Sequence, residues 1–221
     1  MNTRRAHFRN RGFTLIELLV LVALLAVVFA LLLPSGPGKT TSRSARCLMH
    51  LKQIDVAFMQ FAADHRDKYP MQVPRENGGA QDLLPGGHVY PQFQTIAKYL
   101  QESNLCKLVI CPADVSRQTA AGLKTLADTN LSYFLNADAQ LTNTLVCTIL
   151  AGDRDLTINA AAPSAGLSTY TNGASVDWAR LLHHAGGVLA FADGHTEFVS
   201  TGAVYSAFAR QPLATSRLLI P

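Results

Sequence analysis

The run from Phe13 to Leu33, 21 residues of almost unbroken Leu, Val, Ala, Ile and Phe, most limits what this chain can become. As a helix it would be about 31 Å long, the thickness of a hydrocarbon core. Arg4, Arg5, Arg9 and Arg11 precede it, with no acid among residues 1–12. That asymmetry holds the N-terminal side in the cytoplasm and sends the rest across the membrane. A cleavable secretory signal has a shorter apolar core followed by a small-x-small site. Here the small residue, Gly12, comes before the core.

Glu17 breaks the apolar pattern. A carboxylate inside such a span costs roughly 2.5–3.5 kcal/mol on insertion scales, and a plain anchor has no use for it. Cleavage after Gly12 would create an α-amino group on Phe13, one helical turn from Glu17 on the same face. In a bundle of such helices, Glu17 of one subunit could neutralise the ammonium of its neighbour. That pairing would fix axial register where all other contacts are apolar and non-directional.

The junction Arg11-Gly12-Phe13-Thr14-Leu15-Ile16-Glu17-Leu18 resembles the cleavage and methylation motif of type IV prepilins and type II secretion pseudopilins. The resemblance implies that a prepilin peptidase cuts between Gly12 and Phe13 and N-methylates Phe13, and that Glu17 serves assembly. The expected organisation is a cleaved leader (1–12), a transmembrane and assembly helix (13–33), a break (34–40) and a head (41–221). The break departs from the family's continuous long helix, because Pro34-Ser35-Gly36-Pro37-Gly38 should interrupt it.

The formal charge of +4 belongs to the leader, since without its four arginines the chain has 15 basic and 15 acidic residues. The basic residues of the body are scattered, which excludes the electrostatic footprint of a nucleic-acid binder. Cys47, Cys106, Cys111 and Cys147 admit three pairings. Cys106 and Cys111 are the candidate disulfide, with buried thiols the alternative. The absence of Cys-x-x-Cys argues against a zinc ribbon.

In the head, Leu48, Leu51, Ile54, Phe58, Phe61 and Ala62 recur at helical spacing, with Arg46, Lys52, Asp55 and Gln60 between them. This predicts a helix with its apolar stripe on a sheet, capped by Ser42 or Ser44. Residues 70–91 and 159–175 read as loops, Gln92–Glu102 as a short helix, and Leu105–Cys111 as a short strand. Ser132–Leu135 and Thr144–Leu150 also read as strands. Gly187–Ala192 and His195–Val199, joined by Asp193-Gly194, predict a tight type I′ hairpin in an antiparallel sheet with one covered face.

His183 followed by nine residues and Asp193-Gly194 resembles the H-x9-DG segment of one C-terminal class of prepilin-like proteins. Cys111-Pro112-Ala113-Asp114, Ser132-Tyr133 and Ala151-Gly152-Asp153 resemble further pieces of that class, and Cys47-Leu48-x-x-Leu51-Lys52-Gln53-Ile54 resembles the stretch beyond the anchor in many bacterial pilin-like proteins.

No metal site is assigned; the candidates, if one exists, are His184, Asp193 and Asp153. Calcium on Asp153 and Asp155 is a second possibility, by analogy with major pseudopilins. No nucleophile elbow, phosphate-binding glycine loop or carboxylate pair points to an enzyme, and no cofactor is expected.

The fold class is therefore α+β and pilin-like: an N-terminal transmembrane helix, a Pro/Gly break, and a helix packed on a small antiparallel sheet. The function implied is a structural subunit of a type II secretion or type IV pilus-like filament. Its partners would be prepilin peptidase, other pilin-like subunits, an inner-membrane assembly platform and membrane lipid, with no nucleic acid. It would sit in the bacterial inner membrane with its head extracytoplasmic. The alternative is a membrane-anchored extracytoplasmic binding module with no filament role.

Overall fold

The computed structural model describes residues 14–32, 39–100, 102–141, 148–179 and 182–221. The chain divides into two units, Met1–Pro37 and Gly38–Pro221.

The described part of the first unit is one helix, α1 (Leu15–Leu32), apolar on every side apart from Glu17 in its first turn. Thr14 caps it. Its backbone N–H and its hydroxyl both donate to Glu17 Oε2, at 2.9 and 2.8 Å, while Glu17 N–H lies 3.3 Å from Thr14 Oγ1. This reciprocal arrangement is a capping box, which satisfies amide donors that the helix itself cannot. As described, α1 covers 18 residues, about 27 Å of rise. Among the described residues no helix is long and apolar enough to cross a membrane.

The second unit starts with α2 (Lys39–Asp64). It begins inside the stretch assigned to the Pro/Gly break, so Lys39 and Thr40 are helical; Pro34–Gly38 lie outside the described residues. Ser44 is therefore interior to the helix and does not cap it. The apolar stripe is buried as its spacing implied, through Leu51, Ile54, Phe58, Phe61 and Ala62, and it extends to Cys47 and Ala57. Three 3-10 turns follow, Pro70–Gln72, Arg75–Asn77 and Gln81–Gly86. The short helices α3 (Tyr90–Ile96) and α4 (Glu102–Leu108) come next, separated by a 3-10 turn. The strand expected at Leu105–Cys111 is thus largely helix: Leu105, Cys106 and Leu108 turn their apolar sides inward from α4. A short apolar run does not distinguish a buried helix from a strand.

Six strands form one antiparallel sheet: β1 (Tyr133–Asn136), β2 (Ile149–Asp153), β4 (Gly166–Thr171), β6 (Gly186–Phe191), β7 (Thr196–Ser200) and β8 (Thr215–Ile220). Their spatial order is β4-β8-β1-β2-β6-β7. A separate pair joins β3 (Leu156–Ile158) to β5 (Val176–Trp178), and α5 (Ala203–Ala209) links β7 to β8. β4 falls in a segment that reads as a loop. It is an edge strand with Leu167, Thr169 and Thr171 exposed, so its composition is polar, and pairing with β8 along its whole length makes it a strand.

Both faces of the sheet are covered, not one. Tyr133, Leu135, Val188, Ala190 and Leu219 face the α2 side. Phe134, Leu189, Phe191, Leu218 and Ile220 pack with Trp178, Tyr170 and Phe208 on the side of α5 and the β3–β5 pair. Consecutive residues of β6 supply both cores, which is why the strand reads as continuously apolar.

The β6–β7 hairpin is present, but its turn is not type I′. Gly194 N–H donates to Phe191 O at 2.9 Å, and Phe191 N–H donates to His195 O at 3.0 Å. Within the turn only Gly194 is left-handed, with φ 91°. This is a three-residue loop, a type I turn followed by a left-handed glycine.

Candidate functional site

α2 lies across β6 and is bonded at both ends of that strand. Beyond the C-terminal end of β6, the Lys52 ammonium of α2 donates to Gly194 O, and Tyr69, which follows α2, donates from its Oη to Ala192 O at 3.0 Å. Asp55 is buried here, 4.0 Å from Lys52 Nζ, with neither carboxylate oxygen hydrogen-bonded among the described residues. Burial raises its pKa to about 7; Lys52 lowers it and the charge of Asp193 raises it further.

Before the N-terminal end of β6, His183 is buried against α2. Its Nδ1 lies 3.0 Å from Ser44 Oγ. Its Nε2 lies 3.3 Å from Cys111 Sγ and 3.5 Å from Asp153 Oδ2. Cys111 is disulfide-bonded to Cys47 of α2, with 5.0 Å between their α-carbons. Asp153, the last residue of β2, is fully buried. Its Oδ2 accepts from Val188 N–H at 2.8 Å, and its Oδ1 has no partner among the described residues. Burial raises the Asp153 pKa to about 7; the Val188 amide lowers it, and Asp155 and Asp114 raise it. Burial, and then the neighbouring His184, lower the pKa of His183.

The anticipated Cys106–Cys111 bridge is replaced by Cys47–Cys111. Cys106 lies within α4, whereas Cys111 follows the helix, where the chain has turned toward α2. Cys147 lies outside the described residues. The metal candidates do not converge. Asp153 is in the buried cluster, His184 is exposed, and Asp193 sits at the hairpin tip with its Oδ1 2.5 Å from His195 Nδ1. Asp155 Oδ2 accepts from Leu182 N–H at 3.0 Å. The histidine brought to Asp153 is His183, not its neighbour.

A second buried polar group adjoins the first. Arg154 Nε and Nη2 contact Asp114 at 2.9 and 3.1 Å, and the Ser116 and Ser132 hydroxyls donate to the same carboxylate. Burial alone would raise the Asp114 pKa, but the hydrogen bonds from Arg154 and Ser116 outweigh it and the net shift is downward. The short pieces noted at Cys111–Asp114, Ser132-Tyr133 and Ala151–Asp153 thus meet in one place. Beside them, Arg43, Leu48, His183, His184 and Phe198 line a cleft of about 490 Å³.

The sequence pointed to His184, Asp193 and Asp153 but not to Ser44, Cys47 or His183 as one group. The available signal was the recurrence of the pieces themselves. What the pattern cannot give is which of two adjacent histidines turns inward.

At the other end of the chain, Gly12 and Phe13 lie outside the described residues, and Glu17 is in the first turn of α1. Residues 7–33 match the family model described as the prokaryotic N-terminal methylation motif. The chain carries a prepilin-type methylation motif. No curated protein and no solved structure matches the chain. The motif spans Gly12, Phe13 and Glu17 and stops before the head begins.

Proposed function

We propose that this chain is a structural subunit of a type IV pilus-like or type II secretion filament. Prepilin peptidase cuts it between Gly12 and Phe13 and methylates the new Phe13 amine. The apolar helix holds the subunit in the inner membrane, head outward, until an assembly platform packs it against other pilin-like subunits. The observation that carries this reading is the methylation motif over residues 7–33, with Glu17 placed in the first turn of a helix otherwise apolar all round. Thr14 adds a detail. Before assembly, Glu17 is engaged by its own helix end; in a filament the same carboxylate would neutralise a neighbour's terminal amine. Function then resides in polymerisation, and the head needs no turnover.

Intact-mass and N-terminal peptide analysis of the protein from its native membrane tests the processing step. A mature chain beginning at N-methyl-Phe13 supports the reading. Retention of Met1–Gly12 in cells with active prepilin peptidase refutes it.

A second reading, a tethered binding module, is favoured by the cleft beside His183. Glu17→Gln separates the two. Glutamine still completes a capping box but carries no charge, so filaments should fail while the anchored protein persists. A binding module would be indifferent.

A further inference from the structure

We propose that Cys47, Cys111, Asp153 and His183 form a closed four-ligand site for a zinc-class divalent ion whenever the Cys47–Cys111 bond is reduced. Their ligand atoms all lie within 4.8 Å of one another, and all four residues are buried. A tetrahedral zinc with bonds of about 2.3 Å to sulfur and about 2.0–2.1 Å to nitrogen and oxygen has edges of about 3.6 Å (N to S) and about 3.4 Å (N to O). His183 Nε2 already sits 3.3 Å from Cys111 Sγ and 3.5 Å from Asp153 Oδ2. Only the sulfurs have far to go, from a bond of about 2.0 Å to an edge of about 3.8 Å.

The surroundings point the same way. Ser44 Oγ engages His183 Nδ1, which directs Nε2 into the cluster, as outer-shell partners of metal-bound histidines do. The Val188 amide holds Asp153 Oδ2 and leaves Oδ1 buried without a partner among the described residues. Two thiolates, an imidazole and one carboxylate select zinc over calcium or magnesium. With four protein ligands and no open position, the site is structural, and the adjacent cleft gives the ion a path in.

The chemistry balances with an external dithiol as reductant. Its two sulfurs join in a new disulfide, and its two electrons and two protons break the Cys47–Cys111 bond into two thiols. The incoming divalent ion then displaces those two protons, leaving two bound thiolates. The same segments are tied together in either state, once by a covalent bond and once by an ion. The proposal concerns the head alone and does not rest on filament assembly.

Cobalt(II) is the probe, added anaerobically to the full chain in detergent micelles after reduction and removal of the reductant. One cobalt per chain is expected, with a thiolate-to-cobalt charge-transfer band and tetrahedral visible bands, both abolished by one equivalent of zinc. The oxidised chain should take up none. Cys111→Ser should remove the charge-transfer contribution of one thiolate and weaken binding at least a hundredfold. Ser44→Ala, which spares all four ligands, should weaken it about tenfold. Sub-stoichiometric uptake by the reduced chain overturns the proposal, whether or not the chain stays folded. Binding without a thiolate band, or binding unchanged in Cys111→Ser, overturns it equally.

Discussion

α1 and α2 are both long helices, yet they are put together on opposite principles. α1 is apolar around its whole circumference, and Leu15, Leu19, Leu24 and Phe29 are exposed. α2 has an apolar stripe that disappears into the head, and its remaining faces are polar apart from Met49 and Val56. A helix that is apolar all round needs an environment from outside the subunit, whether lipid or neighbouring copies. A helix with a stripe finds its environment within the subunit. The first can be read from composition alone, whereas the second matters through what its stripe and flanks meet.

The contrast is sharpest in the response to truncation. Phe58 is fully buried and meets Tyr69 and Phe93 edge-on, at ring-centroid distances of 6.1 and 6.0 Å. Phe58→Ala should destabilise the head by about 3–5 kcal/mol, measured as a drop in the urea midpoint at unchanged slope. Leu24→Ala in α1 should leave that midpoint where it is. Equal effects would break the distinction between the two helices.

The next effect tests the polar flank of α2. Burial pushes the folded pKa of Asp55 up to about 7 from the ordinary 3.8, so the folded head keeps a proton that the unfolded chain releases in that interval. Asp55 therefore contributes stability that is complete below about pH 4, falls by about 1.4 kcal/mol per pH unit as pH rises, and is gone above about pH 7. Asp55→Asn should remove this slope, read from urea midpoints between pH 5 and 8. Asp153 keeps a share of its own.

A smaller effect belongs to the hairpin tip that α2 grips. Gly194 is left-handed, and an added β-carbon would come within 2.6 Å of the Met59 sulfur. Gly194→Ala should cost about 1–2 kcal/mol, chiefly from the backbone, because the end of a methionine side chain can move. The smallest effect is that of Glu17→Gln, which should change the head's stability in urea by less than about 0.5 kcal/mol. On the proposed filament function, its consequence lies in filament yield, read by electron microscopy.

Legibility followed the same division. The stripe Leu51–Ala62 was readable from its 3.6 period and the β6–β7 hairpin from Asp193-Gly194 between two strand-like runs, both local properties. Asp55 looked like a solvated position. On a helical wheel, however, it stands only about 20° beyond Ala62, at the margin of the stripe, and the hairpin tip closes over it. Leu105–Leu108 and β4 were misread because a buried short helix and a polar edge strand lack the composition usual for their class. The pairing of Cys111 with Cys47 spans 64 residues, a distance over which spacing carries no information. The Thr14–Glu17 capping box was visible as Thr-x-x-Glu, but the cost of a buried charge drew the reading toward assembly alone.

The position of β8 governs when the sheet can be completed. It lies between β4 and β1, although it is made after both. Until it arrives, β4 has no neighbour and β1 has an open edge. A chain that emerges vectorially can pair β1, β2, β6 and β7 in turn, but it seats β4 in the sheet only once Thr215–Ile220 has emerged.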